Sequence, residues 1–134
     1  MIFSNLSNYK NLGLLVIRVG LGIMFIYHGW PKLLGGQDMW AKLGMSTKFI
    51  GISFAPVFWG FMAAAVETFG GLLIIIGLAF RPVCLLIIIN LIVAAAFHFG
   101  MGGGIDAAAH AIEDCITFAG LFIIGPGLYS LDKK

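Results

Sequence analysis

PVFWGFMAAAVETFGGLLIIIGLAFRPVCLLIIINLIVAAAFHF, residues 56–99, decides the fold. It holds two apolar runs, separated only by Arg81-Pro82. A helix needs roughly 20 apolar residues to cross about 30 Å of hydrocarbon, and each run comes close to that. An open sheet in lipid would leave its edge backbone groups unpaired, so the runs read as helices. The very short turn at Arg81-Pro82 makes them antiparallel neighbours. A similar run precedes the pair, with Pro31 near its outer end and Gly35-Gly36 as its stop. Another follows the glycine-rich link 100–104, with Asp106 as its expected N-cap and Gly125-Pro126-Gly127 as its end. The expected fold is all-α, a single transmembrane domain over 1–134. It is an integral membrane four-helix up-and-down bundle with spans at about 12–34, 56–80, 83–99 and 106–124. Residues 37–55 read as a short interfacial helix with Trp40 at the headgroup level.

Composition agrees. The chain of 134 residues is 60% hydrophobic and 10% charged, with a mean hydropathy of +1.04. Four spans leave too little chain for a soluble domain, so any active centre lies in the bundle, in the first loop or with a partner. The net charge of +2 is scattered, and no basic stripe points to nucleic acid. Cys84 and Cys115 fall at different depths and are not expected to pair. The first span is read as retained rather than cleaved as a signal peptide. Lys10, Arg81, Lys133 and Lys134 gather on one side, against Lys42 and Lys48 on the other with Lys32 at the boundary. The positive-inside rule then places both termini in the cytoplasm.

Each span carries ionisable groups that lipid does not solvate. A charge at the bilayer centre costs about 2.5–3.5 kcal/mol on insertion scales, so such groups face a protein interior. Helical spacing puts them on single stripes. Arg18, Phe25 and Lys32 are seven apart, with His28 beside them; Gly60, Ala64, Glu67 and Gly71 follow a 4-3-4 spacing. Asn90, Ala94 and His98 recur every four residues, and His110, Glu113, Asp114 and Thr117 share the fourth span. Four stripes bury themselves by facing one axis. His28, Lys32, His98, His110, Glu113 and Asp114 should then cluster in the outer third, with Glu67 at mid-depth and Arg18 deeper, reaching towards Glu67.

Several chemistries suit such a cluster. Lys, His and Arg donors can hydrogen-bond the carbonyl oxygens of a quinone head group, and histidines beside carboxylates relay protons near neutral pH. The candidate ligand-binding residues are Arg18, His28, Lys32, Glu67, His98, His110 and Glu113. His28, His98 and His110 form an alternative metal set, although no HxxxH or ExxH motif supports it. A permeation path for a metal, proton or polar solute would also use polar stripes. So would a structural anchor, in which Arg18–Glu67 only fixes helix register. Lys32 in that case merely snorkels.

Arg18, His28-Gly29, Lys32, Glu67, Gly70-Gly71, Gly77, Arg81 and the ending Gly125-Pro126-Gly127-Leu-Tyr-Ser130-Leu-Asp132 together resemble the DoxX family of small four-helix integral membrane proteins. Leu128 departs from the basic residue that many members carry there. The resemblance implies an inner-membrane protein of a family often labelled as oxidoreductases. Relatives include a membrane subunit of thiosulfate–quinone oxidoreduction, and others are thought to tether soluble redox or thiol-handling proteins. On this reading the chain is a subunit or anchor of a quinone-linked system rather than a self-sufficient enzyme. Its partners are the lipid bilayer and a soluble redox or thiol-handling protein, and the oligomeric state, a homo-oligomer included, stays open.

Overall fold

The computed structural model describes residues 2–132; Lys133 and Lys134, which enter the charge comparison above, lie outside the described residues. The helices are α1 (Lys10–Leu34), α2 (Gly36–Gly44), α3 (Pro56–Ile76), α4 (Phe80–Gly100) and α5 (Gly104–Ile124). Short 3-10 turns cover Ser4–Tyr9 and Met45–Ile50, and no strand occurs among the described residues. α1, α3, α4 and α5 are each long and apolar enough to cross a membrane. The protein is an all-α membrane bundle.

Element ends follow caps more than hydropathy. α3 stops at Ile76 because Gly77 turns left-handed (φ 68°) and, with Leu78, donates back to the Leu73 carbonyl. α4 starts at Phe80, so the turn is Gly77–Ala79 and not Arg81-Pro82. Its N-cap arrives from the far end of the chain. The Asp132 carboxylate accepts the Ala79 and Phe80 N–H groups at 2.8 and 2.7 Å. Pro82 sits in the first turn, where its missing N–H has no intrahelical acceptor to lose. For the same reason of cap geometry, α5 begins at Gly104; Asp106 lies inside its first turn and makes no cap hydrogen bond. There its charge still favours the helix dipole. Pro31 is accommodated inside α1, which runs on to Leu34.

Two helix pairs pack most closely, α1 with α3 and α4 with α5, and α3 touches α4 less extensively. Glycine permits the first pairing. A methyl on Gly71 would stand 2.7 Å from the Gly22 carbonyl oxygen, and one on Gly29 would stand 2.6 Å from Thr68 Oγ1. α2 is not a free interfacial helix: it folds back onto the first half of α3. Gly60 meets the Trp40 carbonyl and Gly44 meets Pro56, both too close for any side chain. Trp40 stacks edge-on to Phe61 at 5.0 Å. α1 and α5 behave differently. Their backbones stay more than 8 Å apart and only long side chains cross the gap, as in the 5.1 Å edge-to-face pair Phe25–Phe118.

The buried core lies on the terminus side of that aromatic pair. Ile74, Phe80, Cys84, Ile87 and Phe118 are fully buried there. Both cysteines are free. Residues 125–132 fold across this end. Leu131 and Asp132 donate to the Ile76 and Gly77 carbonyls, and Arg81 holds the Phe122 carbonyl at 3.0 Å at the close of α5. The other end contains a cavity between α1, α3, α4 and α5.

Candidate functional site

Lys32, in the last turn of α1, reaches Glu67 of α3. Its Nζ donates to Glu67 Oε2 at 2.7 Å and to Oε1 at 3.0 Å. Glu67 is the twelfth of the 21 residues of α3, close to mid-depth. Asn90, at the centre of α4, donates to the same Oε1 at 3.3 Å. The Lys32 side chain is 34% exposed and the Glu67 side chain 16%, so the pair borders open space. The Trp40 indole N–H donates to the Lys32 carbonyl at 3.0 Å and ties α2 to this corner.

Arg18 takes no part, contrary to the sequence expectation. Its fully buried guanidinium donates to the carbonyls of Ile74 (3.0 Å), Ile75 (2.6 Å), Pro126 (2.9 Å) and Tyr129 (2.6 Å). The last carbonyls of α3 lack intrahelical donors and carry the negative end of the helix dipole, which a cation offsets. Arg18 is thus a structural clamp between α3 and the tail, and Glu67 pairs with Lys32 instead.

A cavity of about 180 Å³ opens beside the Lys32–Glu67 pair. His28 and Phe25 come from α1, Leu91 and His98 from α4, and His110 and Asp114 from α5. The rings of His28 and His110 are 6.4 Å apart, and His110 Nε2 lies 3.5 Å from Asp114 Oδ2. The His110 side chain is 78% exposed and marks the mouth. The structure therefore brings His28, Lys32, Glu67, His98 and His110 to one cavity. It leaves out Glu113, which is exposed on the outer flank of α5. Consecutive helical residues diverge by about 100°, so only one of the two adjacent acids can face inward, and Asp114 shares the stripe of Ala107, His110 and Ala111. Among the described residues no group of three His, Cys, Asp or Glu side chains is placed to hold a metal ion, and the alternative set of three histidines does not converge.

The arrangement combines a primary-amine donor, a carboxylate and imidazoles around a space the size of one ring. An apolar cavity of ~150 Å³ admits benzene, whereas pockets for whole drug-sized ligands run to ~300 Å³ or more. The volume is therefore that of a single small ring.

The DoxX family model matches residues 13–100. "Putative oxidoreductase CatD" of Bacillus subtilis (strain 168) is 36% identical over 81 residues, 60% of this chain. That match spans about half of CatD, 55% of its length. "Inner membrane protein YqjF" of Escherichia coli (strain K12) is 29% identical over 131 residues, covering 96% of this chain and 95% of YqjF. No solved structure matches the chain. His28, Lys32, Glu67 and His98 fall within the family match, whereas His110 and Asp114 lie beyond it.

Proposed function

Because the chain belongs to the DoxX family, we propose that it is a membrane subunit or anchor of a quinone-linked oxidoreductase system and that the Lys32–Glu67 pair receives the quinone head group. One observation supports this reading: the Lys32–Glu67 ion pair, whose carboxylate also accepts from Asn90, borders a ring-sized cavity lined by three histidines. Charged groups within a span are costly and rare, so a paired set that faces a cavity marks a candidate site. Lys32 Nζ supplies a charge-assisted hydrogen bond to one carbonyl oxygen, and His28 donates from the cavity side. Quinone becomes quinol by gaining two electrons and two protons. A redox protein docked on the membrane surface provides the electrons. Protons enter at the exposed His110, next to Asp114, and reach the ligand through His28, His98 and Glu67. The names of the two relatives, an oxidoreductase and an inner membrane protein, support the redox role and the location.

The rival reading as a permeation path is less well supported. The cavity ends on Phe25, which packs against Phe118, and beyond it lie the buried core and the Arg18 clamp. A carrier needs polar access from both faces.

The test is a titration of the detergent-purified protein with a water-soluble quinone, read by quenching of Trp40 beside Lys32. Lys32→Met should weaken binding at least tenfold, since a hydrogen bond to a charged group contributes ~1.5–3 kcal/mol and tenfold is ~1.4 kcal/mol. His28→Ala should cost about two- to tenfold, and Glu113→Gln should change nothing. Equal affinity of Lys32→Met and wild type, with thermal stability matched, refutes the assignment.

A further inference from the structure

Glu113 is the tenth of the 21 residues of α5, so it stands near the middle of a span, and it is exposed. The buried side of α5 is set by Ala108, Ala111, Phe118 and Leu121. At about 100° per residue, Glu113 points away from that side and from the rest of the bundle. Its carboxylate has no ion pair or hydrogen bond among the described residues; the Thr117 hydroxyl donates to the Glu113 backbone carbonyl instead, at 2.9 Å. Acids inside a span normally face protein or a water-filled cavity and are paired there. Within one chain Glu113 is not. The outward positions of the other spans at comparable depth carry large apolar side chains, Ile23, Phe69, Ile89 and Ile92. On α5 the outward stripe is Ala109, Glu113, Thr117 and Gly120, small or polar throughout, and a methyl on Gly120 would meet nothing within 4 Å. Small residues with polar ones between them are the composition of a helix–helix contact in lipid. One turn before Glu113, on the edge of the same face, His110 is 78% exposed. Its Nε2 lies 3.5 Å from Asp114 Oδ2, and its Nδ1 has no partner among the described residues.

We infer that this face of α5 packs against α5 of a second copy of the chain, about a two-fold axis along the membrane normal, and that Glu113 of each copy pairs with His110 of the other. Two copies inserted in the same orientation present their α5 helices parallel. In a two-fold contact residue i meets j and j meets i, so a single kind of pair is made twice. Three residues separate His110 from Glu113, ~4.5 Å along the axis at 1.5 Å per residue. Packed helices lie ~8–10 Å apart, and Ala109 and Gly120 favour the close end of that range. Charge complementarity selects the occupant. Acyl chains bring no donor to this depth, and an unrelated helix would have to supply its own cation. This chain carries the complement of its unpaired carboxylate on the same face. His110 then stands between two acids, its own Asp114 through Nε2 and the partner subunit's Glu113 through Nδ1, which makes the imidazole a donor on both sides. Because His110 marks the mouth of the histidine-lined cavity, each copy completes the mouth of the other. Lys32 and Glu67 take no part in the contact, and the pairing does not depend on what fills the cavity.

The experiment counts subunits of the full chain, each carrying one fluorophore, by single-molecule photobleaching in liposomes over a series of lipid dilutions. The wild type is expected as a dimer that dissociates on dilution. Glu113→Leu and His110→Leu should each weaken it about tenfold or more, since each removes two reciprocal hydrogen bonds inside the membrane. The double variant should be no weaker than either single one, because both break the same pairs. A second measurement leaves the pairs intact and reads the interface even where a Leu variant fails to fold. In a Cys84→Ala, Cys115→Ala background, Thr117→Cys should form an intermolecular disulfide under mild oxidation, whereas Ile92→Cys, exposed on α4, should not. A wild type that stays monomeric at every dilution overturns the inference. So does a dimer cross-linked through Ile92→Cys as readily as through Thr117→Cys. Losses that add in the double variant, with thermal stability matched to wild type, refute the Glu113–His110 pairing. A chain that is monomeric alone and associates only with a different membrane protein refutes the second copy as the occupant.

Discussion

Arg18 and Lys32 lie on one stripe of α1, and the chain uses them in opposite ways. Arg18 commits four of its five N–H donors to carbonyls of α3 and the tail, while Lys32 pairs with Glu67 at the rim of a cavity. Arg18→Met should therefore destabilise the protein by on the order of 3 kcal/mol or more, because buried carbonyls lose a charged donor. Arg18→Lys should recover little of this, since a single ammonium cannot span carbonyls on two segments. Thermal or denaturant unfolding in detergent checks both, and a loss below ~1 kcal/mol for Arg18→Met contradicts the clamp. Periodicity alone placed Arg18 on the inward stripe, and it lies there. What periodicity could not supply was the partner. The acceptors are backbone carbonyls at the end of α3 and in residues 126–129, which leave no side-chain signal in the sequence. Asp114 against Glu113 is a similar case: spacing puts both near the cavity, and only the helix rotation fixed by packing on α4 selects Asp114.

At the scale of elements, glycines divide into those that meet another backbone and those that meet nothing. Gly60 lies under the Trp40 carbonyl, whereas Gly20 has open space around it. Gly60→Ala should push α2 off α3 and cost ~1–3 kcal/mol, with a change in Trp40 emission. Gly20→Ala should be neutral or stabilise by up to ~1 kcal/mol through helix propensity. A neutral Gly60→Ala would show that α2 is loosely held. The small-residue stripe of α3 was legible in advance, because Gly60, Ala64 and Gly71 recur at helical spacing. The docking of α2 was not. Its sequence, Gly36–Gly44, also reads as an interfacial helix, and only the close backbone contacts at Gly44 and Gly60 distinguish the two. The boundary at Gly77 was hidden for a related reason. The apolar run continues to Phe80, and the cap that starts α4 is Asp132, more than fifty residues away.

The molecule as a whole is two close helix pairs joined by a partial contact between α3 and α4. One end of the gap between α1 and α5 is filled by Phe25 and Phe118, and the other is left as a cavity. This division explains why hydropathy and spacing revealed the bundle and most of the cavity residues: polar stripes mark the axis on which the cavity lies. The proposed function requires a quinone at the Lys32–Glu67 corner. Native mass spectrometry of the gently extracted protein, with metal analysis of the same sample, measures that directly. One quinone per chain is predicted for the wild type, lost on Lys32→Met. A stoichiometric metal, or a wild-type chain that retains no quinone, would contradict it.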